Sequence, residues 1–125
     1  MNKIVLAIAP LLLASAPVLA RETRCGWLHN PTPGNWWLVD RHGLWVINTQ
    51  GGAQAAGLDL VKFYEGELAR RNFVSLHPQS GYGYLCACMR VTTNKNSNPK
   101  RITRIWSGEQ VPLQQCRQDP ALPRG

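Results

Sequence analysis

The sequence predicts a mainly β protein: a small antiparallel β barrel or sandwich with one short helix, stapled by two disulfides. Three observations carry this expectation. Aromatic and β-branched residues run from Asn35 to Asn48 on both sides of the turn-forming Asp40-Arg41-His42-Gly43. A second pair of such runs, Gly81 to Thr93 and Lys100 to Ser107, is joined by the turn formers around Asn94 to Pro99. Cys25, Cys86, Cys88 and Cys116 supply a covalent framework for a chain short enough to need one.

Residues 1–20 read as a cleaved export signal. Lys3 precedes the apolar run Ile4 to Ala16, and Ala20, with Val18 two residues before it, stands at the expected cleavage position. The run is too short to span a bilayer comfortably, and no later stretch is apolar enough to try. Glu22, Thr23 and Arg24 precede Cys25, so the context of a lipid-attachment site is missing. The expected product is one domain, residues 21–125, periplasmic or secreted and without a transmembrane segment.

The first hairpin decides where three tryptophans point. A type I turn over Asp40 to Gly43, with Gly43 left-handed, sets Asp40 opposite Leu44, Val39 opposite Trp45 and Trp37 opposite Ile47. That face is wholly apolar, so Trp37 and Trp45 are expected in the core. Trp36, at the strand start beside a Pro/Gly loop, is the ring left partly exposed. A two-residue turn would instead place Trp36 and Trp45 on one face.

Between the hairpins, Asp59 is a candidate N-cap, and Leu60, Tyr64 and Leu68 stand at helical spacing, although Gly66 weakens the helix. Phe73 to Pro78, followed by the turn residues Gln79, Ser80 and Gly81, is expected to pair with the next strand. That strand is apolar on both faces, with Tyr82, Tyr84, Cys86 and Cys88 on one and Leu85, Ala87, Met89 and Val91 on the other, so it belongs in the middle of the structure. No internal repeat or linker is visible.

Four cysteines allow three pairings. Cys86 and Cys88 point to one face of a strand without facing each other, so each is expected to reach one terminal cysteine. The return strand is read as bringing Trp106 near the level of Tyr84 to Cys86, which favours Cys86 with Cys116.

With Lys3 set aside, thirteen Lys and Arg stand against seven Asp and Glu, a net charge of +6. No acidic residue lies between Leu68 and Gly108, whereas Arg70, Arg71, Arg90, Lys95, Lys100, Arg101 and Arg104 do. Such a block suits an anionic envelope polymer or a solvated face. Aromatic residues are not interleaved with it, which argues against nucleic acid.

The stretches "CGWLHNPTPGNWWLVDRHGLWVI", "QGG" at Gln50 to Gly52, "GYGYLCACMRV" and "CRQDPALP" resemble a family of small exported bacterial proteins, domain of unknown function 4087. The resemblance runs from about Arg24 to Pro123. It implies secretion, disulfides and a single domain, and it carries no activity, substrate or catalytic residue.

No reaction is legible. Cys86, Cys88 and Met89, with His77 upstream, are soft metal ligands, but pairing of all four cysteines leaves no thiolate for a metal. Thiol exchange would favour Cys-x-x-Cys at a helix start. His29, His42 and His77 have no metal-type spacing and read as turn and loop residues; Glu65 and Glu67 fall on different sides of a helix. No catalytic residue, metal or cofactor is assigned. The expected function is a non-catalytic exported binding protein, an inhibitor, immunity-like factor or interaction module acting on another envelope protein. The alternative is a module that binds anionic envelope polymer or glycan through Trp36, Arg90, Lys100, Arg101 and Arg104.

Overall fold

The computed structural model describes residues 2–10, 20–78 and 80–125. Met1, residues 11–19 with Val18, which belong to the segment read as an export signal, and the turn residue Gln79 lie outside the described residues. The strands are β1 (Glu22–Thr32), β2 (Asn35–Asp40), β3 (Gly43–Asn48), β4 (Val61–Lys62), β5 (Phe73–Ser75), β6 (Gly83–Asn94) and β7 (Arg101–Val111). Two short helices, α1 (Gly66–Arg71) and α2 (Leu113–Arg117), complete the described secondary structure with one 3₁₀ turn at Leu58–Leu60. Among the described residues no helix is long and apolar enough to cross a membrane.

The sheet order is β4-β7-β3-β2-β1-β6-β5, and β6 also pairs with β7. The ring β7-β3-β2-β1-β6 therefore closes into a five-stranded barrel. Closure removes most of the unpaired backbone that an open sheet would expose. All pairings are antiparallel except the short contacts of β7 with β3 and β4. Leu28, Leu38, Trp45, Ile47, Leu85, Met89, Ile102 and Ile105 fill the interior. A second cluster of Trp27, Cys86, Val111, Leu113 and Cys116 lies outside, under α2 and the tail, where the Trp27 indole donates to the Pro123 carbonyl at 2.8 Å. The central strand β6 thus buries both faces, as its composition predicts.

The disulfides are Cys25–Cys88 and Cys86–Cys116. Cys25 stands directly opposite Cys88 across β1 and β6, with Cα atoms 4.1 Å apart. The level assigned to Trp106 is corrected. Val111 faces Cys86, and Trp106 lies at an irregularity opposite Arg90 and Val91, because β7 runs on past Ser107. α2 then carries Cys116 back to Cys86.

The first hairpin adopts the register of a two-residue turn: Asp40 pairs with Gly43, Leu38 with Trp45 and Trp37 with Val46, before a shift sets Trp36 opposite Asn48. Gly43 is left-handed as expected, with φ 103°. One residue of register reverses every side chain. Trp37 consequently leaves the core and lies half-buried outside, its ring 5.9 Å from that of His29. Trp45 is buried, and Trp36 is half-buried against the core. The physical reason is Asp40, which turns inward and is 4% exposed. It accepts hydrogen bonds from Trp45 Nε1 at 2.9 Å, Arg24 at 2.8 Å and the His42 amide at 2.8 Å. A carboxylate satisfied in this way can be buried on the core side of a strand.

The single helix expected from Asp59 to Leu68 is broken into a 3₁₀ turn, β4 and α1. Gly66 has φ +61°, a left-handed backbone that cannot continue a right-handed helix through Tyr64 to Leu68. β1 escaped the sequence reading. Its Gly26 packs so closely on β2 that a Cβ would overlap the carbonyl oxygen of Val39. His29 also lies on β1, on a strand where a turn or loop position was expected.

Candidate functional site

Alternation along β1 turns Arg24, Gly26, Leu28 and Asn30 inward, so the two ends of the barrel differ chemically. At the Asn30 end the interior opens into a cleft of about 390 Å³. Leu28 and Leu85 form its floor. Trp36 from β2, Phe63 and Tyr64 from the segment after β4, Arg70 from α1 and Phe73 from β5 form its walls. The Trp36 and Phe63 rings lie 6.3 Å apart and tilted. Phe63 is 43% exposed at the mouth of the cleft.

Gln110 holds this opening in shape. Its side chain is buried; Oε1 accepts from the Tyr64 amide at 2.8 Å, and Nε2 donates to the Asn72 carbonyl at 2.9 Å. One residue of β7 therefore anchors the loops on both sides of α1. Asn30 Nδ2 similarly donates to the Thr32 and Asn35 carbonyls. Among the described residues the cleft lining contains no His, Cys, Asp or Glu.

The Arg24 end is closed by charge. Arg24 donates to Asp40, Glu22 and His42 Nδ1, and its guanidinium lies 3.9 Å from the centre of the Trp45 ring. Lys100 lies over the same ring at 4.5 Å and donates to the His42 carbonyl. Burial raises the Glu22 pKa, but the hydrogen bond from Thr93 and the charge of Arg24 outweigh it, and the carboxyl is held below its ordinary value. His42 accepts at Nδ1 from an always-protonated arginine, so its ring proton sits on Nε2.

The residues expected to bind together are scattered. Trp36 lines the open end, whereas Lys100 lies at the charged end with Arg24, His42, Trp45 and Lys95. Arg101 stands beside Val46 at the start of β7. Arg104 lies on the outer wall with its guanidinium 4.1 Å from the Trp106 ring centre, and Arg21 approaches the same ring to 3.7 Å. Exposed Arg90 lines a separate hollow with Thr23, Lys62 and Glu109. The composite of Trp36 with the basic residues 90–104 is therefore not assembled, because β6 and β7 carry their connecting loop to the end of the barrel away from Trp36.

All four cysteines are engaged in disulfides, and Met89 points into the core, away from Cys86 and Cys88. Among the described residues no group of three or more His, Cys, Asp or Glu side chains is placed to hold a metal ion. Phe63, Phe73, Arg70 and Gln110 were missed as a group. Their only sequence signal is the aromatic pair Phe63-Tyr64 standing between charged residues just before Gly66.

A family model described as "Protein of unknown function (DUF4087)" matches residues 19–123. The chain belongs to this family. The match covers the whole barrel, both disulfides and every residue of the open cleft, so within the family both the framework and the mouth fall inside the shared domain. No curated protein and no solved structure matches the chain.

Proposed function

We propose that the protein is an exported, non-catalytic binding protein that takes the apolar part of its ligand into the open end of the barrel. The observation that carries this reading is the cleft of Trp36, Phe63 and Phe73 over Leu28 and Leu85. Among the described residues its lining offers no acid, thiol or imidazole for catalysis, and its most buried polar side chain, Gln110, is engaged in holding the loops. A volume of about 390 Å³ suits a small molecule, whose sites run from about 300 to 1,000 Å³. That size favours a small ligand over the envelope-protein partner expected from the sequence alone.

Export rests on Lys3, the apolar run after it and Ala20, and on two disulfides of a kind that persist in oxidising compartments. Cell fractionation with N-terminal sequencing tests this part, and the expected first residue is Arg21. Titration with Nile red, a neutral dye that brightens in apolar sites, tests the cleft. The expected result is enhancement by the native protein that Trp36→Ala and Phe63→Ser abolish while the melting transition persists. Equal enhancement by these variants would refute the assignment.

A second reading, binding of an anionic polymer, is supported by Trp106 with Arg21 and Arg104 stacked on it. Affinity of that kind should collapse with added salt and should ignore Trp36→Ala.

A further inference from the structure

The polar groups of the open cleft divide into two kinds. Gln110 and the Asn30 amide are engaged with backbone groups inside the protein. Among the described residues the Arg70 guanidinium and the Tyr64 hydroxyl have no hydrogen-bond or ion-pair partner. Arg70 is exposed on α1 at the rim, while its neighbour Arg71 is paired with Glu67 at 3.1 Å. Both unpaired groups are donors, and one carries a fixed positive charge. Among the described residues no carboxylate lies in the lining to neutralise it. Apart from Ser80, whose Oγ accepts from the Tyr82 amide, the other described side chains of the lining are aromatic or aliphatic.

We propose that the cleft binds a small amphiphile with an apolar body and a single terminal carboxylate, an inference that rests on the reading of the cleft as a small-molecule site. The apolar body lies between Trp36, Phe63 and Phe73, over Leu28 and Leu85. The carboxylate stays at the rim, where the planar guanidinium of Arg70 meets both oxygens and Tyr64 donates a further bond. A charged group at this position keeps its water on one side, so the site avoids burying an uncompensated ion. A cleft of about 390 Å³ lies in the range of small-molecule sites, and with Arg70 at its rim the occupant proposed is a free small acid.

Isothermal titration of the purified protein with decanoate and with decanol, each below its aggregation concentration, tests the proposal. Decanoate is expected to bind at least tenfold more tightly than decanol. Arg70→Gln should remove that preference while leaving decanol affinity unchanged, and Tyr64→Phe should reduce it a few-fold. Arg104→Gln, a cation removed from the outer wall, should leave the preference intact. Equal affinity of the native protein for acid and alcohol would overturn the carboxylate inference and leave the apolar cleft standing. An equal effect of Arg104→Gln and Arg70→Gln would also overturn it, since net charge alone would then explain the preference. Failure of both probes to bind would sink the reading of the cleft on which the inference rests.

Discussion

Trp45 donates from its indole nitrogen to Asp40 Oδ1 at 2.9 Å, and this buried bond between the two strands of the first hairpin holds the register that turns Trp45 inward and Trp37 outward. Asp40 also meets Arg24, whose side chain is 7% exposed. Asp40→Ala would leave the buried Trp45 indole N–H without its acceptor and the buried Arg24 guanidinium with only Glu22 and His42 as partners. It is expected to cost about 3–5 kcal/mol, the range for breaking a buried pair from one side. Asp40→Asn, which keeps an acceptor for Trp45 and the turn amide, should cost distinctly less. Urea unfolding of the two variants measures the difference.

The three hairpin tryptophans should separate by burial. Trp45→Ala removes a ring that is 1% exposed and should cost about 3–5 kcal/mol. Trp36→Ala and Trp37→Ala remove half-buried rings and should cost about 1–2 kcal/mol each. Thermal melts rank the three. Of the two half-buried rings, only Trp36 should also affect ligand binding. A Trp37→Ala loss as large as that of Trp45→Ala would contradict the register.

The disulfides close sequence separations of 63 and 30 residues. In the chain-entropy model these are worth roughly 4 and roughly 3.5 kcal/mol. Replacing Cys25 and Cys88 by serine should therefore destabilise the barrel slightly more than replacing Cys86 and Cys116. Denaturant midpoints test the order, and non-reducing peptide mapping tests the pairing. Recovery of a Cys25–Cys116 peptide would refute the framework.

Burial holds the His29 pKa below its ordinary value, between Trp37 and Tyr84. The unfolded chain then binds a proton that the folded chain does not. Stability is complete above the unfolded value, about 6.5, and declines as pH falls from there toward the folded value. His29→Phe, which keeps an aromatic ring in the row, should flatten this part of the stability curve. Unfolding midpoints between pH 7.5 and 5 measure the slope; an unchanged slope would assign it to another group.

By itself the sequence determined the strand-forming runs of both hairpins, the two-faced burial of β6, the short β5 and the joining of each of Cys86 and Cys88 to a terminal cysteine, because each follows from local alternation or from which cysteines can meet; which terminal cysteine each one takes was decided by the run of β7 and α2. It also pointed to Trp45 as core and Trp36 as half-exposed. Only the tertiary structure decided the rest. Register in the first hairpin turned on the buried charge of Asp40, whose partner Arg24 is sixteen residues away and whose inward position no apolar pattern announces. The open cleft draws Leu28, Trp36, Phe63, Arg70, Phe73 and Gln110 from separate elements, which share no periodicity and become neighbours only when β6 closes the barrel against β1 and β7. Periodicity reports which face of one strand is apolar; where those faces meet is set by long-range pairing.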